Sequence, residues 1–190
     1  YTVMRSDLAT LSKSPRDLYK AQTLTDKTLS DVAAMQVNDL QFTQTDGSWT
    51  LTDDPDYPVS QSSIKKMAST ILQMQTAWTV TAPEADTAYG LDSPDVTAVL
   101  TFTDGTSLTV RFGNAVAAAA DGSDGDSLCY LASDAAPTVV YEVNADSKLA
   151  YAVTKESLYE ETATAETAAS DPVAQYPIGG EDDYADSLPE

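Results

Sequence analysis

The sequence predicts an α+β fold: an antiparallel β-sheet of hairpins and meanders, with one main helix at about 60–77 packed on a face. Three observations predict it. Two Asp-Gly dipeptides, Asp46-Gly47 and Asp104-Gly105, each separate stretches in which apolar residues alternate. Between these hairpins, apolar residues recur at steps of three and four. Two further strand-like runs, LCYLA and TVVYEV, follow the second hairpin.

Residues 1–30 are mixed and polar. In SPRDLYKAQ, Ser14 suits an N-cap and Pro15 a first helical position, with Leu18 as the packing residue of a short helix. Met35 and Val37 then alternate, and Asn38-Asp39 offers a turn. In LQFTQTDGSWTLT, a two-residue loop pairs Thr45 with Ser48, Gln44 with Trp49 and Phe42 with Leu51. That register puts the apolar residues on one face, so a type I′ turn is expected. The second Asp-Gly differs. Val96, Ala98, Leu100 and Phe102 share parity with Leu108, Val110 and Phe112. A two-residue loop would set these groups on opposite faces. A three-residue loop, Thr103-Asp104-Gly105, pairs Leu100 with Leu108 and predicts Gly105 in the left-handed region.

The helix at 60–77 carries Ile64, Met67, Ile71, Met74 and Trp78 in one stripe, widened by Ala68 and Leu72, with Ser60 as N-cap. Trp78 leads into a short strand, WTVTA. In APEADTAYGLDSP, Pro83 suits the start of a helical turn, and Glu84 and Asp86 suit its positive end. Gly90 falls where a helix stops in the left-handed region, Leu91 where a residue packs back, and Pro94 makes Ser93 extended. Structural roles thus account for Tyr89 through Pro94, with a binding role for Tyr89 or Asp92 as the alternative. Past the strands, Asn144 can cap a short helix carrying Leu149 and Val153.

The chain divides into an N-terminal segment at 1–30, an α+β domain at 31–154 and an acidic tail at 155–190. The first residue is Tyr1, and a product trimmed behind a membrane anchor is expected. The tail holds ten acids and one lysine, a composition that reads as disordered, although Val173, Tyr176, Ile178, Tyr184 and Leu188 could anchor it across a surface.

Charge and composition narrow the function. Thirty acids stand against ten bases, a net charge of −20. Such a chain is repelled by nucleic-acid phosphates and by anionic lipid headgroups. Histidine is absent, which removes histidine triads, histidine-ligated zinc and histidine general bases together. The single cysteine, Cys129, lies between apolar neighbours and reads as a small buried residue. In DGSDGDS, Asp121, Asp124 and Asp126 could hold calcium, but the stretch lacks the order of an EF-hand loop, and a solvated loop is the plainer reading. No other cofactor is implied.

DGSWTL, the helix, YGLDSP, LTVRFG, CYLA and VVYEV follow one another in an order that resembles a bacterial family, domain of unknown function 4340. The positions that carry the resemblance are Trp49, the Tyr-Gly-Leu-x-x-Pro element (Tyr89, Gly90, Leu91 and Pro94) and Gly113 at the end of a strand. It spans about residues 30–154. The resemblance implies an extracytoplasmic, cell-membrane-tethered domain behind one N-terminal helix, sometimes encoded near transporter genes. It supplies no catalytic residues.

The function expected is a non-enzymatic extracytoplasmic binding or assembly module. Its partner is a protein at the membrane, and it touches the bilayer only through the N-terminal anchor. The alternatives are a hydrolase using two carboxylates on cell-envelope glycan and a structural spacer. A hydrolase needs two acids about 5–10 Å apart, and among thirty acids the sequence singles out no pair.

Overall fold

Apolar alternation resolves into eight strands: β1 (Val32–Val37), β2 (Leu40–Thr45), β3 (Ser48–Leu51), β4 (Thr76–Val80), β5 (Val96–Phe102), β6 (Ser107–Ala115), β7 (Leu128–Ser133) and β8 (Val140–Asn144). The computed structural model describes residues 14–117 and 127–160. Among the described residues every strand pairing is antiparallel, in one sheet of order β3-β2-β1-β5-β6-β7-β8-β4. One main helix, α1 (Gln61–Leu72), packs on it, and a single turn, α2 (Asp146–Leu149), follows β8. The class is α+β, with strands dominating.

Both Asp-Gly turns take the forms that side-chain parity demands. Thr45 faces Ser48, and Asp46 and Gly47 have φ of 51° and 81°, the mirror-image geometry of a type I′ turn. Leu100 faces Leu108 and Ala98 faces Val110, with Gly105 at φ 82° closing the longer loop. Asn38, at φ 50°, opens a third tight turn between Val37 and Leu40.

The core lies between the sheet and α1. Ile64, Met67, Ala68, Ile71 and Leu72 are the buried stripe of the helix. They meet Met35, Phe42, Leu100, Val110, Phe112 and Leu131 from the strands in one cluster. Each large side chain so buried contributes about 1.5–3 kcal/mol. Ser60 caps α1 by accepting from the Ser63 N–H. Tyr151 closes the far side: it is fully buried, its ring lies 5.5 Å from that of Phe112, and its hydroxyl donates to the Met67 carbonyl at 2.9 Å. Burial pushes its phenol far above the ordinary value. Cys129 is buried, and burial raises its thiol, with Lys148 opposing.

Four expectations need correction. The helix ends at Leu72, not at 77. Gln73 caps it, Met74 is buried in the connection, and Trp78 belongs to β4. The three- and four-residue spacing runs on past the end of the helix: Met74 joins the core from the connection, while a register shift between Thr76 and Trp78 sets Trp78 opposite Glu142. Leu18 and Leu149 do not pack: both are exposed, and the segment at Ser14 is only a 3₁₀ turn, Arg16–Leu18. After β8 it is Tyr151 that enters the core, with Val153 partly buried against it. Pro83 does not start a helix; the turn there is Asp86–Tyr89.

Residues 155–160, counted with the acidic tail in the sequence, pack on the domain. Leu158 is in the core, and its carbonyl accepts from the Ser60 N–H. Tyr159 bridges to Val59. The remaining tail residues, and Asp121, Asp124 and Asp126, lie outside the described residues.

Candidate functional site

The Tyr89–Pro94 element folds as a stopped turn. Gly90 takes φ 68°, and the Leu91 N–H reaches back to the Asp86 carbonyl at 3.0 Å. Leu91 is fully buried with Ala132 and Val140, in a small cluster separate from the main core. Leu131 belongs to the main core, so its neighbour Ala132 lies on the opposite face of the sheet. The turn therefore covers the face away from α1. Gly113 explains how it gets so close. A Cβ on Gly113 would stand 2.2 Å from the Tyr89 carbonyl oxygen, and one on Gly90 would stand 2.5 Å from the Asn114 side chain. The β6–β7 register shifts between Phe112 and Ala115, at these same residues. The two glycine motifs, far apart in sequence, are two halves of one backbone contact. Arg111 fastens it by donating to the Asp86 carboxylate at 3.0 Å and to the Leu91 carbonyl. Asp92 is exposed, and Tyr89 packs edge-on against Tyr130 with ring centroids 4.8 Å apart.

Trp49 sits elsewhere, on the edge strand β3. Its side chain is buried, and its indole Nε1 has no hydrogen-bond partner among the described residues. Its backbone N–H donates to the Gln61 side-chain oxygen at 2.8 Å, and its carbonyl accepts from the Gln61 amide at 2.7 Å. Beside this strand runs an open groove of about 820 Å³, walled by Trp49, Tyr57, Pro55, Pro58 and Val59. Asp56 and Glu160 add negative charge to the walls. Lys155 does not neutralise them: it pairs with Asp54 at 2.8 Å and lies over the Tyr57 ring at 4.5 Å.

The sequence profile of the family described as domain of unknown function DUF4340 matches residues 49–169. The chain belongs to this family. The match begins at Trp49 and takes in α1, the Tyr-Gly-Leu turn, Gly113 and every strand from β4 to β8, so the positions Trp49, Tyr89, Gly90, Leu91, Pro94 and Gly113 lie within it, whereas residues 30–48, which the resemblance included, do not. It also extends beyond Glu160, whereas the resemblance stopped at about 154. No curated protein and no solved structure matches the chain.

In this DUF4340 domain the structure brings Tyr89, Gly90, Leu91 and Gly113 together and leaves Trp49 apart, on the groove. Among the described residues, no three acidic or cysteine side chains gather in a way that could hold a metal. One polar constellation escaped the sequence reading. Glu142 on β8 is flanked across the sheet by Trp78 on β4 and Tyr130 on β7. Its side chain is 4% exposed, and the carboxylate takes both prongs of the Arg16 guanidinium, at 2.7 and 2.8 Å. Arg16 also lies 5.1 Å over the Trp78 ring. Burial, then the Glu142 charge, pushes the Tyr130 phenol up. A signal for Glu142 was present: it is a lone acid inside the apolar run TVVYEV. Nothing local pointed to Arg16, 126 residues away.

Proposed function

We propose that this DUF4340 domain is a non-enzymatic binding and assembly module that takes an extended, cationic and partly apolar segment of a partner protein into the groove beside β3. The observation that carries this reading is the groove itself: aromatic and proline walls with two carboxylates and, among the described residues, no lysine or arginine in its lining. Apolar walls supply affinity, and the carboxylates select the sign of the partner. The net charge of −20 steers cationic segments toward the domain. Recognition runs through side chains, because Gln61 already occupies the Trp49 peptide groups on the strand edge. The same reading has the domain outside the cytoplasm of a bacterium, tethered by an N-terminal anchor and working beside a membrane transporter; that part rests on the family resemblance alone.

Ser62 is exposed on the groove wall, so S62W plugs the groove without entering the core. The test is capture of the partner from native membranes by the intact anchored protein and by its S62W variant. The partner is expected with the wild type, in decreasing amount as salt rises, and is expected to be lost from S62W at an unchanged melting temperature. Equal capture by both would remove the groove as the binding surface.

A further inference from the structure

Arg16 reaches Glu142 in an unusual way. Residues 14–18 are all exposed, and their 3₁₀ turn buries nothing. The Arg16 side chain is 53% exposed, yet its guanidinium meets the carboxylate of a glutamate side chain that is 4% exposed. Residues 14–18 thus bring the Arg16 head group to the sheet without burying a side chain, and Tyr19, next in the chain, packs its ring 5.3 Å from that of Trp78. The residues that receive the guanidinium all belong to the sheet. Trp78, Glu142 and Tyr130 stand side by side on β4, β8 and β7, and Tyr89 braces Tyr130 from behind. A buried carboxylate between aromatic rings is complementary to a flat, delocalised cation: two parallel N–H groups meet the two oxygens while the guanidinium plane lies over the indole.

We infer that the Trp78–Glu142–Tyr130 row is a guanidinium-binding site, filled in this chain by Arg16 and open to the arginine side chain of a partner when residues 14–18 lift away. The site lies on the face away from α1 and is independent of the groove beside β3. Its occupancy ties residues 14–18 to the sheet, so a partner arginine that takes the site frees those residues up to Tyr19, whose hydroxyl stays bonded to Thr76 and Thr79 on β4.

The experiment uses the full chain with R16A, melted in N-acetyl-arginine amide or in N-acetyl-lysine amide at equal ionic strength. R16A is expected to melt below the wild type. The arginine amide is expected to raise its melting temperature saturably, by at least about threefold more than the lysine amide does. The wild type should not respond, and adding E142Q to R16A should abolish the response. Should R16A fail to fold, R16K carries the same measurement, since it keeps a charge near Trp78 but loses the two-pronged bond. Equal effects of the two amides, or an equal response of wild type and variant, would overturn the site. S62W should leave the arginine response intact, which separates this outcome from failure of the groove.

Discussion

Leu131 and Ala132 are neighbours on β7 and belong to different interiors. Leu131 lies in the large cluster under α1, and Ala132 in a small one with Leu91 and Val140. Under α1, many interchangeable apolar side chains share the work, and no single contact defines the face. On the far face there is little apolar surface to bury. There the turn at Asp86–Tyr89 and the segment at Arg16 are held by particular contacts: a glycine that admits a carbonyl, Arg111 on Asp86, and Arg16 on Glu142. Burial tolerates exchange of like for like, whereas directional contacts do not.

The sharpest test of the first face is Phe112→Ala. Phe112 is fully buried and packs on Tyr151, so a loss of about 4 kcal/mol in urea unfolding is expected. A loss near 1 kcal/mol would show that α1 can settle into the space. On the far face, Gly113→Ala is expected to cost about 2–3 kcal/mol, because the new methyl group meets the Tyr89 carbonyl, which is backbone and cannot rotate away. Gly47→Ala is the control: nothing lies near its Cβ position and φ is 81°, so it reports the conformational cost alone, about 1 kcal/mol. If the two glycines cost the same, the turn slides off β6 freely and the contrast between the faces fails.

Tyr151→Phe has the smallest expected effect, about 1 kcal/mol at neutral pH, for the lost bond to the Met67 carbonyl. Its sign with pH is fixed by burial. The folded phenol titrates far above the unfolded one, so its contribution is whole below pH of about 10 and drains away as pH rises. The gap between wild type and Y151F should therefore narrow in alkaline melts. A constant gap would mean that water reaches the hydroxyl.

The two faces also differ in how far they could be read from sequence. Strand parity carried the α1 face: it separated the two Asp-Gly turns and set the β2–β3 and β5–β6 registers. Helical spacing misled where it ran past the end of α1, at Met74 and Trp78, and single apolar residues without a pattern, Leu18, Leu149 and Tyr151, gave no signal of which would be buried. The far face was legible only in its local part. Gly90 and Leu91 announce a stopped turn, but that Gly113 receives Tyr89 is a fact of tertiary approach. Arg16 and Glu142 meet across nearly the whole domain, and no local spacing encodes such a pair. The groove beside β3 is likewise assembled from β3, the stretch at 55–62 and Glu160, and only the fold brings these together.

Gln61 has one more consequence. A carboxamide offers one donor and one acceptor in a plane, as a peptide unit does, so on β3 this side chain imitates a ninth strand exactly one residue long. Sheets with bare borders recruit other chains and grow into fibrils. Here the first residue of the helix serves as the stopper, and the border can open only if the helix start lets go. On this border, covering the Trp49 peptide groups and docking the start of the helix are thus a single event.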